Sequence, residues 1–95
     1  MKWTSPDDLL VDLGAALRAK RLLLDLAQED VAHDASLSVR HYSKIENGSS
    51  NATIGTLFRV ARILGLDFQE LLQLAAGSPK GRPRKPGTSK KAAAP

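Results

Sequence analysis

The sequence has no cysteine, only four aromatic residues and no long apolar run. Without cysteine, disulfides, thiolate metal sites and cysteine nucleophiles are excluded, and a reducing compartment is permitted. No stretch approaches the length of apolar residues that spans a bilayer, and Asp7 and Asp8 interrupt the N-terminal segment where a signal peptide would be apolar. We therefore expect a protein with no membrane association, not exported, that works in the cytoplasm.

Negatively charged side chains are absent from residues 77–95. All ten Asp and Glu lie in residues 1–76, which hold eight Lys or Arg and so carry a net charge of −2. Residues 77–95 hold six cations, no acid, and no Val, Ile, Leu, Met or aromatic residue. Because such a segment cannot bury enough apolar surface to offset its ordering entropy, it is predicted to be a disordered basic tail.

Apolar residues recur at helical spacing in five segments and nowhere alternate as in a strand, so the fold class is predicted to be all-α. The first helix is predicted from about Pro6 to Leu24, after a Ser5 cap. Gly14 weakens it, and the pattern leaves open one helix or two pieces. Asp25 is expected to end this helix in the left-handed conformation.

The other helices are delimited by capping residues and glycines. The second is predicted over residues 28–34 and the third over residues 39–46. The fourth is predicted to turn Ile54, Leu57 and Leu64 inward, with Phe58 beside them. The expected caps and stops are, in chain order, Ser38, Gly48, Thr53, Gly65 and the capping box of Asp67 with Glu70.

The third helix has two unlike sides. On a helical wheel, Tyr42 and Ile45 fall on one side, and the other carries polar groups. Tyr42, like Phe58, is interpreted as a core residue and not as a platform for nucleotide stacking. For a helix considered alone, ordinary solvated surface is the better interpretation of the polar side. Its members are Arg40, Ser43, Lys44 and Asn47.

The run from Leu13 to Leu72 changes that interpretation, because it resembles the Cro and phage-repressor type of helix-turn-helix domain, the Xre family. Two positions depart from the family pattern. Ala27 stands where a Ser or Thr cap is usual, and Ser36 stands where the turn usually has Gly. The matching residues are Leu17, Arg18, Arg21, Gln28, Glu29, Ala32, Ala35, Leu37, Ser38, Ser43, Ile45, Glu46, Gly48, Thr53, Leu57, Ala61, Leu64, Gly65 and Leu71.

The resemblance implies a five-helix domain over residues 13–76, preceded by a helical extension over residues 1–12, with double-stranded DNA as partner. The third helix would enter the major groove, and Arg21 with Glu46 would form a structural salt bridge. The candidates for base contacts are Val39, Arg40, His41, Ser43 and Lys44. The candidates for phosphate contacts are Gln28, Ser38, Asn47, Ser49, Ser50 and Asn51.

The basic tail, residues 77–95, resembles an AT-hook, which lies in the narrow minor groove of A·T-rich DNA. Its candidate DNA contacts are Lys80, Arg82, Arg84 and Lys85, although Lys80 stands where the AT-hook core has Arg. A nonspecific polycationic tail is an equal alternative.

The function predicted from these residues is that of a transcription regulator, most often a repressor in this family, acting as a homodimer. Residues 68–74 are the expected dimer surface. The alternative is an antitoxin similar to HipB that binds a HipA-like toxin and represses its own operon. A third reading is nucleoid-type binding led by the tail. No enzyme activity or cofactor is expected. A metal site is not expected either, because no third ligand lies near His33 and His41.

Overall fold

The computed structural model describes residues 3–77, and within that range the chain forms five helices and no strand. The prediction of an all-α fold is confirmed. The predicted tail contacts at Lys80, Arg82, Arg84 and Lys85 lie outside the described residues. The helices are α1 (Pro6–Leu23), α2 (Gln28–Asp34), α3 (Val39–Glu46), α4 (Ile54–Ile63) and α5 (Phe68–Gly77).

The helices begin where the capping residues predict. The hydroxyls of Ser5, Ser38 and Thr53 each accept a hydrogen bond from the backbone N–H three residues later, at 3.0 to 3.2 Å. Asp67 and Glu70 form the predicted reciprocal pair, in which each carboxylate accepts the other's backbone N–H at 2.7 and 3.0 Å. Each cap satisfies a donor that the first turn of a helix would otherwise leave unpaired.

The α2 N-terminus is capped in a different way. Ala27 has no side-chain acceptor, as the sequence indicates, and no side-chain cap forms there. Instead, the Asp30 carboxylate accepts the backbone N–H of Ala27 at 2.9 Å. This is half of a capping box, and it places a negative charge on the first turn of α2.

Positive backbone φ angles occur where the chain leaves a helix. Gly48 and Gly65 have φ of 74° and 82°, and the non-glycine residues Asp25 and Ser36 have φ of 60° and 59°. The prediction that Asp25 ends α1 in the left-handed region is confirmed. Of the two outcomes that the sequence allows at Ser36, a strained backbone or a different turn, the structure shows the left-handed backbone that glycine adopts more easily.

One core joins all five helices. The α1 helix is a single piece despite Gly14, and it packs mainly against α5 and α3. Tyr42 is fully buried at the centre. The other core residues are Leu13, Ala16, Leu17, Val31, Ala32, Ala35, Ile45, Leu57, Val60, Ala61, Leu64, Leu66, Leu71 and Ala75.

The outer side of α4 contradicts the sequence prediction. Ile54 and Phe58, predicted to lie in or beside the inward stripe, are 68% and 50% exposed. They lie four residues apart, so they form one turn of an apolar surface on the helix. The buried stripe of α4 begins at Leu57, and Ile54 lies in the first turn of the helix, next to the Thr53 cap.

The N-terminal segment folds back on α1. Trp3 packs against the core, and its indole N–H donates to the Asp12 carboxylate at 2.8 Å. This hydrogen bond fixes residues before the Ser5 cap to the second turn of α1. No helix in residues 3–77 is long and apolar enough to cross a membrane.

Candidate nucleic-acid interface

The turn between α2 and α3 sets the direction in which α3 leaves the core. Ala35 is the C-cap of α2 and is completely buried, and Ser36 follows it with a positive φ of 59°. The backbone N–H of Leu37 donates to Ala32 O at 2.8 Å, which ties the start of the turn to the last turn of α2. The Ser38 hydroxyl accepts the His41 N–H at 3.0 Å and starts α3.

The inner face of α3 is held by a buried ion pair as well as by packing. Arg21 of α1 donates through Nε to Glu46 Oε2 at 2.6 Å and through Nη2 to Glu46 Oε1 at 3.0 Å, a two-point pairing. A third donor of Arg21, Nη1, reaches Leu26 O at 2.8 Å. Both side chains are at least nine-tenths buried, so the pair is little screened by solvent.

Gln28 extends this network to α2. Its Nε2 donates to Glu46 Oε1 at 3.0 Å, so three helices meet at one carboxylate. The sequence assigns Gln28 to a phosphate contact, and the structure places its amide on Glu46 while the side chain stays half-buried. This hydrogen bond uses one of the two N–H donors of the Gln28 amide, and a phosphate contact by the other donor stays a prediction.

The network also shifts the pKa values of its members. Burial by itself would raise the pKa of Glu46, but hydrogen bonding to Arg21 and Gln28 and the nearby Tyr42 hydroxyl outweigh burial and hold that pKa below its usual value. Burial raises the pKa of Tyr42. The Tyr42 hydroxyl lies close to both charges, yet it makes no hydrogen bond of standard geometry.

The outer face of α3 is open and carries positive charge. The side chains of Arg40, His41 and Lys44 are exposed, Val39 is 43% exposed, and Ser43 is half-buried. Neither Arg40 nor Lys44 forms an ion pair within residues 3–77. The structure thus brings the predicted base-contact residues onto one helix, but Ser43 lies at the edge of the exposed face.

A shallow polar depression connects this face to the loop that follows it. No acidic residue lines it. The loop is held near the end of α3 because Ser49 donates to Lys44 O through its backbone N–H, at 3.0 Å. The lining residues are Ser38, Arg40, His41, Lys44, Ser49 and Ser50, so predicted base contacts and predicted phosphate contacts border the same surface.

The remaining phosphate candidates continue from this depression. Asn47 ends α3 and is exposed, and Asn51 is exposed in the loop before α4. Both amides are free to donate outward, as phosphate contact requires. In the described part of the chain, no three His, Asp or Glu side chains converge as a metal site would need.

Sequence reasoning did not predict that Ile54 and Phe58 are exposed. A helical wheel of α4 alone assigns both to the apolar side, and no local signal distinguishes them from the buried Leu57. Only the way in which α4 docks on α5 and α2 leaves them outside.

Comparisons with known proteins agree with this geometry. Residues 17–71 match the helix-turn-helix family model, which covers more than half of the chain. No curated protein sequence matches the chain significantly.

Among solved structures, the clp gene regulator ClgR from Corynebacterium glutamicum is 31% identical. It aligns over 74% of this chain and 90% of that chain, with a TM-score of 0.71. The wild-type restriction-modification controller protein C.Esp1396I is 26% identical over 72% of this chain and 90% of that chain, with a TM-score of 0.66. The family match confirms the resemblance inferred from the sequence: the chain belongs to the Xre family of helix-turn-helix proteins and is a DNA-binding transcriptional regulator, not an enzyme.

Proposed function

We propose that the protein is a repressor that recognises a specific operator by inserting α3 into the major groove as a two-fold dimer. The observation that carries this proposal is the division of α3 between a face locked to α1 and α2 and a face that exposes Arg40, His41 and Lys44. A repressor of this kind acts by occupying DNA that polymerase needs. As a bacterial or phage protein with DNA as its ligand, it would work in the cytoplasm, associated with the nucleoid.

The outward side chains suit base reading. Arg40 has the planar fork that pairs with guanine O6 and N7, and Lys44, one turn further along α3, donates to the same acceptors. Val39 has an apolar surface for a thymine methyl group. His41 and Ser43 are the next candidates, since each can donate or accept one hydrogen bond.

The phosphate contacts would flank these readers on both sides. Ser38 and the N-terminus of α2, including Gln28, face one strand, and the loop after α3 supplies the donors for the other. These loop donors are Asn47, Ser49, Ser50 and Asn51. Such contacts set the register of the helix on the duplex without reading its sequence.

A dimer is proposed because α3 has eight residues and reads only a few base pairs. The surface expected from sequence, residues 68–74, retains one well-exposed apolar side chain, Leu74, while Leu71 is buried. Ile54 and Phe58 form the more exposed apolar pair. Phe58→Glu should therefore yield monomers, and Leu74→Glu is the matched control; sedimentation velocity distinguishes the two surfaces.

Selection of bound fragments from random DNA tests the whole proposal. A two-fold dimer should enrich an inverted repeat whose half-sites lie about 34 Å, one helical turn, apart. Enrichment of a single half-site would reject the dimer. Recovery of fragments with no shared sequence would reject base reading by α3, and a simple A·T bias would favour tail-led binding.

For residues 77–95 we propose a supporting role, in which Lys80, Arg82, Arg84 and Lys85 contact DNA. Deleting the tail should weaken binding to every sequence. It should reduce the slope of log affinity against log salt by about four if these four residues contact phosphate, and by up to about five if all six tail cations do. Loss restricted to A·T-rich flanks would identify minor-groove binding, whereas an equal loss on all flanks would identify a nonspecific cation effect.

The antitoxin alternative needs a second protein surface apart from α3. An apolar groove between α1 and α5 has no α3 residue in its lining, and its wall includes Ala15, Ala19, Leu23 and Leu74. Expression from the native operon decides the matter. Co-purification of a kinase-like partner, lost on Leu23→Glu, would favour the antitoxin, and a dimer that binds its promoter alone would favour the plain regulator.

A further inference from the structure

The first helix meets the end of the third helix with almost no side chain between them. The contact is formed by Gly14 on α1 and by Gly48, two residues after the end of α3. Val11 lies three residues before Gly14, so both face the same way on α1. Neither glycine is among the proposed DNA contacts.

Gly14 lies against backbone carbonyls. A Cβ atom at Gly14 would come within 2.5 Å of Glu46 O and 2.8 Å of the Glu46 carbonyl carbon, and still closer to Ile45 O. These atoms belong to the last turn of α3 and cannot rotate away as a side chain could. Any larger residue at position 14 must therefore move one helix relative to the other.

Gly48 makes the reverse contact. A Cβ atom on it would lie 2.6 Å from Val11 Cα and 2.9 Å from Val11 N, again backbone atoms. Its φ of 74° also favours glycine. Gly65 has a similar φ of 82° but nothing within 4 Å of the same position, so the close contact is a property of Gly48 alone.

From this pair of contacts we infer that Gly14 and Gly48 are positioning residues for DNA reading: they fix how far the C-terminal end of α3 stands from α1. Lys44 immediately precedes Ile45, whose carbonyl Gly14 contacts. A shift of that turn displaces Lys44 directly and tilts Arg40 with it. The inference rests on the proposed reading of DNA by α3, because the distance between α1 and the last turn of α3 affects base contacts only if α3 lies in the major groove.

The test compares two matched pairs of full-length variants. Gly14→Ala is paired with Gly55→Ala, a helical site where a Cβ meets only the Thr53 hydroxyl at 3.9 Å. Gly48→Ala is paired with Gly65→Ala, which has the same backbone strain and no neighbour. Two quantities are measured below the unfolding transition: the amide chemical shifts of residues 39–46 without DNA, and the ratio of affinity for selected DNA to affinity for random DNA.

Gly14→Ala and Gly48→Ala should shift the α3 amide signals and lower the affinity ratio on the order of tenfold, about the effect of one lost base contact. Binding to random DNA should change little, because phosphate contacts tolerate small displacements. Gly55→Ala and Gly65→Ala should leave both quantities unchanged, even where Gly65→Ala lowers stability.

Folded Gly14→Ala and Gly48→Ala proteins with unmoved α3 signals would overturn the inference, and so would moved signals with an unchanged affinity ratio. Failure of both variants to fold, while both controls fold, would replace it with a purely structural role. If the wild-type protein itself shows no sequence preference, the proposed function fails, and the amide shifts still report separately whether the glycines position α3.

Discussion

The two faces of α3 differ in whether their side chains are held by other helices. The inner face carries Tyr42, Ile45 and Glu46, all buried, and Glu46 receives hydrogen bonds from two other helices. The outer face carries Arg40 and Lys44, which are exposed and form no ion pair within residues 3–77. One face fixes where the helix lies, and the other is free to present whatever side chains recognition requires.

If α3 reads DNA as proposed, this difference separates the residues that stabilise the fold from those that determine specificity. Changes on the inner face should act on folding and reach DNA binding only through it. Changes on the outer face should act on DNA binding with little effect on folding, since exposed side chains without fixed partners contribute little to stability.

The largest expected effect comes from breaking the inner face at Glu46. Glu46→Ala leaves the Arg21 guanidinium buried without its partner, which should cost about 3–5 kcal/mol of the free energy of unfolding. A loss of that size is a large share of the stability of a small domain. Urea denaturation followed by circular dichroism measures it.

The control for this prediction replaces both charges, with Arg21→Met and Glu46→Leu together. Because no unpaired charge then remains, the double variant should lose clearly less stability than Glu46→Ala. An equal loss in both proteins would mean that the network contributes through packing and not through charge pairing.

The next effect lies on the outer face. Arg40→Ala and Lys44→Ala should each weaken operator binding by about 1–3 kcal/mol while leaving the unfolding free energy within about 0.5 kcal/mol of wild type. Electrophoretic mobility shifts with operator and random DNA measure the change. Arg18→Ala, an exposed cation on α1, is the control and should preserve the preference for operator. Retained preference in the Arg40 and Lys44 variants would show that α3 is not the reader.

The pH dependence of stability gives a second test of the inner face. Because the pKa of Glu46 is lower in the folded protein than its usual value of 4.5, ionised Glu46 stabilises the fold at neutral pH, and this contribution is lost as pH falls below that value. Unfolding free energies measured from pH 7 to pH 3 should therefore decline less steeply for Glu46→Gln than for wild type. Parallel curves would mean that another carboxylate dominates the acid response.

The sequence predicts the ends of the helices well because their signals are local. The helix starts follow from single capping residues, such as Ser38 before α3 and Thr53 before α4, each of which bonds its own first turn. The left-handed angle at Asp25 likewise depends on the residue and its immediate neighbours. Arg21 and Glu46 pair over 25 residues, and it is the family resemblance that implies their contact.

The features that the sequence did not predict depend on how helices dock. Ile54 and Phe58 match an apolar stripe, but the packing of α4 leaves them exposed. The hydrogen bond from the Gln28 amide to Glu46 at 3.0 Å exists only once α2 and α3 are packed. Gly14 reads as a helix-weakening residue, and its contact with the α3 carbonyls exists only once α1 and α3 are packed. In each case the deciding neighbour lies on another helix.

The smallest expected effect on the free energy of unfolding comes from the Tyr42 hydroxyl, on the inner face of α3. Tyr42 is fully buried, and its hydroxyl lacks a hydrogen-bond partner of standard geometry although two charges lie near. Removing a buried, unpaired hydroxyl relieves an unmet desolvation cost, so Tyr42→Phe should leave the unfolding free energy unchanged or raise it by up to about 1 kcal/mol. Denaturation of the two proteins side by side measures this difference. A loss of about 1 kcal/mol would instead place a hydrogen bond between Tyr42 and Glu46, and three side chains, those of Arg21, Gln28 and Tyr42, would then donate to one carboxylate on the inner face.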